Sequence, residues 1–262
     1  VDGFAAHGPL LFAHRGAPAE HAENTLPAFR AALASGADVL ELDVRMSVDG
    51  HVIVSHDATG KRVFGVDQVV SSTRFSQIKR WSVKSSSGEI CQPATLPEVF
   101  EAFPQVALNI DVKQHNPEMM PLLLDAIVGH AAQDRVLLTS FSARVMKQIR
   151  ELGYRGPLGM SRLDAALFLL GPRAAAARAS RGAQRLQIPQ RYAGLELANR
   201  TCIEQAHASG LRIDYWVVND PAQAERLLDL GADGIVTDHP ARIAEVFARH
   251  VRTRGWRARR AA

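Results

Sequence analysis

Cysteine is scarce in this 262-residue chain, with two, Cys91 and Cys202. They form no C-x-x-C pair and are too few for a disulfide framework, so both read as free thiols, as in a reducing compartment. Long apolar runs are missing too. No uninterrupted stretch approaches the roughly 18–20 residues that a membrane-crossing helix requires. No basic segment followed by an apolar stretch opens the chain, so no signal peptide is visible and a cytoplasmic location is the expectation. The chain begins at Val1, which leaves a trimmed upstream piece open. Acids are absent from the last stretch: Arg249–Ala262 carries six arginines and no Asp or Glu. Removing those six from the net charge of +4 leaves −2. A slightly acidic body is a poor general binder of nucleic acid, so no such partner is expected. The basic tail, about 249–262, reads as a frayed, solvated terminus, with peripheral contact to anionic lipid as the alternative.

What is present is ample core. Hydrophobic residues make up 47% and charged residues 22%, an ordinary globular balance. Eight apolar segments read as strands: Leu10–Ala13, Val39–Val44, Ala107–Val112, Val136–Thr139, Leu158–Met160, Arg185–Ile188, Ile213–Val218 and Gly234–Thr237. Several are apolar on both faces, as buried parallel strands are. Helical periodicity fills the gaps, including one long helix over Asp164–Ala179 and a start at Asn24-Thr25 before Pro27. Gly36, Gly153, Gly210 and Gly231 each close a helical run ahead of a strand. Eight strand–helix units predict an α/β fold, a closed (β/α)8 TIM barrel, over a doubly wound open sheet. Barrels of roughly 250 residues are routinely one domain, so a single domain over 1–262 is expected. One stretch breaks the rhythm. About 49–93, from Asp49-Gly50 through Ser85-Ser86-Ser87-Gly88, is too long for a simple strand-to-helix connection and reads as a small insertion after the second strand.

Chemistry gathers at the ends of these strands. Residues two apart on a strand share a face, so Glu41 and Asp43 point together, as do Asp111 and Lys113. Acids clustered at neighbouring strand ends repel unless a cation joins them. An all-oxygen donor set with no nearby Cys selects Mg²⁺ or Ca²⁺, with Mn²⁺ possible, over zinc. His14 ends the first strand beside Arg15-Gly16. His56 follows Val52-Ile53-Val54, with Asp57 placed to orient it. Two imidazoles near a phosphodiester suit general acid and general base roles. Arg15 and Lys113 suit an anion. Trp216 and Asn219 are candidates for a wall and a hydrogen bond to a small polar group. The other eight histidines lack such settings and read as structural. Leu167-Phe168-Leu169-Leu170 reads as core helix before lipid-facing surface.

Together, His14-Arg15-Gly16, Glu23-Asn24-Thr25, Glu41-x-Asp43, Asp49-Gly50, Val54-x-His56-Asp57, Asp111-x-Lys113 and Trp216-x-x-Asn219 resemble the glycerophosphodiester phosphodiesterase family. The resemblance runs from about Phe12 to Pro240. It implies the phosphodiesterase version of the barrel, with its segment after the second strand. It implies Glu41, Asp43 and Asp111 as metal ligands, His14 and His56 as the catalytic pair, and Arg15 and Lys113 as phosphate-binding cations. Two positions depart from the usual pattern: Ala22 replaces a proline, and Asp111 replaces a glutamate one methylene longer.

The expected activity is metal-dependent hydrolysis of a glycerophosphodiester to glycerol 3-phosphate and an alcohol, a step in lipid and glycerol metabolism, by a monomer or homodimer. Three rivals remain. A lysophospholipase D-like or sphingomyelinase D-like enzyme would use an apolar groove from the insertion or from Leu167–Leu170. A non-catalytic phosphate-binding module would need neither His14 nor His56. A Mg²⁺-dependent aldolase or lyase barrel leaves His56-Asp57 and the Arg15–Lys113 pair without a task.

Overall fold

The computed structural model describes residues 4, 8–86 and 88–254. Seven parallel strands form the main sheet: β1 (Leu10–His14), β2 (Val39–Met46), β3 (Ala107–Val112), β4 (Val136–Thr139), β5 (Arg185–Pro189), β6 (Arg212–Trp216) and β7 (Gly234–Thr237). They lie side by side from β5 through β6, β7, β1, β2 and β3 to β4. Leu158 and Gly159 complete the ring, bridging in parallel to Leu138 of β4 and to Arg185 of β5. The result is an α/β barrel of eight staves.

The helices packed around the ring are α1 (Leu26–Ala34), α2 (Leu96–Ala102), α3 (Met119–Gly129), α4 (Ala143–Glu151), α5 (Arg162–Leu170), α6 (Arg173–Ala179), α7 (Arg200–Ala208), α8 (Pro221–Leu230) and α9 (Pro240–Arg254), and two one-turn helices, Lys61–Phe64 and Phe75–Ile78, lie in the segment after β2. Thr25 caps α1 by accepting from the Ala28 amide, with proline inside the first turn. Gly231 ends α8 at φ 105°, a conformation that a side chain would strain. Among the described residues, no helix is long and apolar enough to cross a membrane.

The helix expected over Asp164–Ala179 is two helices. Pro172 is the N-cap of α6 and Gly171 before it is extended, at ψ 169°. Proline lacks an amide hydrogen and pushes its predecessor out of the helical region, so the run breaks there. The core-helix reading of Leu167–Leu170 holds for Phe168 alone in full. Phe168 is buried, whereas Leu167 is 40% and Leu170 is 65% exposed.

Strand alternation sorts the core. Leu10 and Phe12 join Val39, Ala107, Leu137 and Val236 in one cluster inside the barrel. Leu11, Leu40 and Leu42 instead pack outward among helix residues such as Phe29 and Ile243. Beside this apolar cluster, toward the amino ends of β5, β6 and β7, lies a polar group. Arg185 is paired with Asp214, donating from Nε at 2.7 Å and from its second nitrogen as well, and it stacks over Phe12 at 5.3 Å. Gln187 donates to Asp214 at 3.1 Å and accepts from Asn109 at 3.2 Å.

Between β2 and α2 the chain leaves the ring. Val52–Val54 folds back antiparallel on β2, pairing Val54 with Val44. Two further small antiparallel pairs follow, Thr59–Gly60 with Val66–Val69 and Val83–Lys84 with Ile90–Cys91. This segment has its own core of Ile53, Val70, Ile78 and Trp81. The basic tail lies outside the described residues from position 255 onward.

Asp214 is fully buried and Arg185 nearly so. Replacing Arg185 by Met leaves that carboxylate without its cation. The variant should lose about 3–5 kcal/mol of stability. Urea unfolding of both proteins checks this, and a loss under about 1 kcal/mol would contradict it.

Candidate active site

Parallel register brings the acids together. Asp43 pairs directly with Asp111 across β2 and β3, and Glu41 pairs with His14 across β2 and β1. All four therefore sit within two rows at the carboxyl-end mouth of the barrel, where enzymes of this architecture place their chemistry. His56 arrives by the fold-back of Val52–Val54: the Ser55 amide donates to the Asp43 carbonyl at 2.9 Å. Arg45 then holds the His56 carbonyl from Nε at 2.9 Å. His14, Arg15, Glu41, His56, Asp111 and Lys113 all line one cavity of about 490 Å³.

The β1–α1 loop is tightly folded. Arg15 has φ 56°, Gly16 φ 90° and Asn24 φ 57°. A Cβ on Gly16 would sit 2.8 Å from Ala28, so only glycine fits this turn. The turn sends the Arg15 amide to Glu41 at 3.0 Å. Its guanidinium reaches Glu23 at 3.0 Å and Asp43 at 3.2 Å. Asn24 clasps Asp43 twice, donating to its carboxylate at 2.8 Å and accepting from its amide at 3.2 Å. Lys113 lies between Asp111 at 2.6 Å and Asp43 at 3.1 Å, over the Phe141 ring at 5.3 Å. Both sequence-nominated cations thus make ion pairs with the acids while still facing the cavity.

Each histidine is held through Nδ1 by a carboxylate. His14 meets Asp238 at 2.6 Å, and His56 meets Asp57 at 2.7 Å. Ionised carboxylates only accept, so the proton belongs on Nδ1 and Nε2 is left for a substrate. Burial lowers the His14 pKa, but the Asp238 hydrogen bond and the Glu41 charge outweigh it, and the net shift is upward. Asn219 does not line the cavity. It donates to Asp238 at 2.8 Å and accepts from the Asp238 amide and from Thr237. Trp216 does line it, packed against Phe141 at 5.7 Å, and its other side joins the inner apolar cluster.

The three acids do not titrate alike. Burial, then the neighbouring Asp43 charge, pushes Glu41 up to about 7. Burial also raises Asp111. Asp43 is held low, because Lys113 and Arg15 outweigh its burial. Asp111 Oδ1 is buried without a hydrogen-bond partner, and Asp43 Oδ1 meets Lys113 Nζ at 3.1 Å. An orphaned carboxylate oxygen and a carboxyl forced toward neutrality mark a site short of positive charge. Its donor atoms are all oxygen, which fits a hard divalent cation. Among the described residues no three His, Cys, Asp and Glu side chains form a ready cage, since Lys113 stands between two of the acids.

Comparison with known proteins identifies the family. The family model described as "Glycerophosphoryl diester phosphodiesterase family" matches residues 14–242. The chain belongs to that family. It is 28% identical to lysophospholipase D GDPD1 of Rattus norvegicus, over 88% of this chain and 84% of the relative. It is likewise 28% identical to a glycerophosphodiester phosphodiesterase of Bacillus altitudinis, over 90% and 97%. The solved glycerophosphodiester phosphodiesterase of Thermotoga maritima superposes with a TM-score of 0.73 at 26% identity, covering 92% and 99% of the two chains. A phosphodiesterase of Oleispira antarctica, solved with sn-glycerol-3-phosphate, shares the fold with a TM-score of 0.77 at 24% identity, covering 92% and 97%.

Reading the sequence left several functional neighbours of this phosphodiesterase unassigned. Asp238 follows the last barrel strand directly, a position that could have flagged it. Asn24 and Glu23 lay inside a recognised motif without a stated role. Arg62 had no signal, because it works from a short helix of the insertion. It binds Glu23 at 2.5 and 2.7 Å and Asp57 at 2.6 Å, joining the Arg15 loop to the His56 dyad.

Burial raises the Asp57 carboxyl, but hydrogen bonds from Arg62 and His56 outweigh it and bring it to about 2. A lowered carboxylate stabilises the fold above its unfolded pKa, and that contribution fades as pH falls through the folded value. Asp57→Asn should therefore be less stable than the parent near neutrality, with the gap closing between about pH 4 and pH 2. Urea titrations across that window test this; a gap that widens on acidification would refute it.

Proposed function

We propose that this phosphodiesterase hydrolyses glycerophosphodiesters to glycerol 3-phosphate and an alcohol, with His14 and His56 as the general acid–base pair. The observation carrying this reading is two imidazoles on one cavity, each anchored at Nδ1 by its own carboxylate. A phosphate-binding module would not need two proton-transfer groups so prepared.

One imidazole accepts a proton at Nε2 from the attacking hydroxyl, either water or the neighbouring hydroxyl of the substrate. The other donates a proton to the departing alcohol oxygen. A new P–O bond forms as the P–O bond to that alcohol breaks; where the substrate's own hydroxyl attacks, water then opens the cyclic phosphate. Arg15 and Lys113 offer N–H donors to the non-bridging oxygens as negative charge builds there. Glu41, Asp43 and Asp111 would hold one divalent cation, Mg²⁺, Ca²⁺ or Mn²⁺. When bound, such an ion acts as a Lewis acid on the phosphoryl group. Trp216 serves as a wall, and Asn219 positions His14 through Asp238. A second reading, cleavage of a lysophospholipid by the same chemistry, is favoured by the apolar side of the cavity.

His14→Ala and His56→Ala should each lower kcat by about 10²–10⁴ while circular dichroism stays unchanged. Release of glycerol 3-phosphate from glycerophosphocholine is the measurement, and parental rates in either variant would remove that residue from the pair. Chelation should stop release, and Mg²⁺, Ca²⁺ or Mn²⁺ should restore it. Undiminished turnover in a metal-free sample would overturn the cation assignment.

A further inference from the structure

The segment after β2 delivers His56 and then stays out of the cavity. Among the described residues, no side chain from 57–108 lines the space onto which His14, Arg15, Glu41 and His56 face. The segment is nevertheless firmly folded. Phe64, Val66 and Phe75 pack against its core of Ile53, Val70, Ile78 and Trp81. The antiparallel pair of Thr59–Gly60 with Val66–Val69 brackets the one-turn helix Lys61–Phe64, and the Phe64 ring meets the Trp81 ring at 6.2 Å. That frame aims Arg62 back at the catalytic groups. Its Nε donates to Asp57 Oδ2 at 2.6 Å, and its two terminal nitrogens donate to Glu23 Oε2 and Oε1 at 2.5 and 2.7 Å. Asp57 Oδ1 holds His56 Nδ1 at 2.7 Å, and Glu23 Oε1 also accepts from Arg15 at 3.0 Å. Three of the four carboxylate oxygens in this link therefore bind one guanidinium.

An isolated exposed ion pair does little, but a planar fork spanning two carboxylates fixes direction as well as distance. Direction matters here, because Asp57 is 30% and His56 33% exposed, and neither side chain is locked by packing. With its His56 contact alone, Asp57 would be free to turn toward solvent and release the ring. Arg62 removes that freedom by binding the second oxygen. The arrangement parallels that at His14, where Asn219 fixes Asp238. We propose that Arg62 is a positioning residue for the hydrolysis, acting through Asp57 to hold the His56 imidazole at its productive angle, and that presenting Arg62 is what the segment after β2 does for the reaction. The inference rests on the acid–base reading of His56 and deepens it. Arg62 touches no reacting atom. By holding Oδ2 of Asp57 it keeps Oδ1 on His56 Nδ1, and Nε2 stays aimed into the cavity. Its grip on Glu23 ties the same fork to the loop that carries Arg15, so the imidazole and the phosphate-binding guanidinium share one frame.

Steady-state hydrolysis of glycerophosphocholine by the full chain, with divalent ion restored, tests this in Arg62→Met and Arg62→Lys. Methionine keeps much of the stem and loses the fork, while lysine keeps the charge but cannot span two carboxylates as a planar fork does. Each variant should lose about 10–100-fold in kcat, the scale on which a misplaced catalytic group acts. KM should stay within about twofold, because Arg62 lies outside the cavity. Rates are referred to the folded fraction from urea unfolding, so that lost stability does not enter them. In a His56→Ala background, Arg62→Met should lower the residual rate by less than about threefold, since the group it positions is gone. A residue serving only the fold would cut the rate equally in both backgrounds. Parental kcat in either single variant, a loss confined to KM, or an equal loss with and without His56 would overturn the inference. Parental turnover in His56→Ala itself would instead remove the acid–base reading. An inactive His56→Ala beside a fully active Arg62→Met removes the positioning role alone.

Discussion

Burying carboxylates side by side is the constraint around which the mouth of this barrel is built. Glu41, Asp43 and Asp111 are each less than a tenth exposed, and two occupy directly paired positions on neighbouring strands. Removing such charges from water costs several kcal/mol apiece unless opposite charge and hydrogen bonds offset it. Asp43 receives that compensation from Asn24, Arg15 and Lys113 and stays ionised. Glu41 receives less and is driven toward neutrality. The unequal treatment leaves a cluster that further positive charge would stabilise, and an orphaned oxygen on Asp111 to meet it.

The same economy of charge organises the groups around the acids. Arg15 comes from the β1–α1 loop, Lys113 from just past β3, and Arg62 from the segment after β2. Glu23 accepts from both Arg15 and Arg62, and Asp57 accepts from Arg62 while holding His56. A continuous chain of ion pairs thus runs from the acid cluster to one imidazole. The other imidazole is held from the neighbouring strand β7 by Asp238, itself fixed by Asn219. Rigid strands set the acids and His14, while the fold-back after β2 sets His56. This matches the general division between a stiff barrel and a variable active face.

Much of this was legible beforehand because it follows from local periodicity. The bounds of β3, β4 and β7 follow from apolar runs between helix stops. The shared face of Glu41 and Asp43 follows from the two-residue repeat of a strand. The partnership of His56 with Asp57 follows from adjacency. Other features were hidden because they depend on which segments meet. The Asp164–Ala179 run carried Pro172 in plain view, yet its helical periodicity masked the break. Asn219 was nominated for a hydrogen bond to a small polar group, and its amide donates to Asp238. The exposure of Leu167 and Leu170 could not be read from an apolar run, since period alone does not say what lies opposite.

Alternation, helix punctuation and motif spacing were enough to specify the strand–helix units of the barrel and to nominate His14, Arg15, Glu41, His56, Asp111 and Lys113, which line one cavity, because these depend on neighbours within a few residues. The order in which staves close, the pairing of Asp43 with Asp111, the Arg62 link and the apolar wall beside the imidazoles depend on register between segments tens of residues apart. Only packing of the whole chain sets such registers, since a one-residue slip would turn each acid to the other face of its strand.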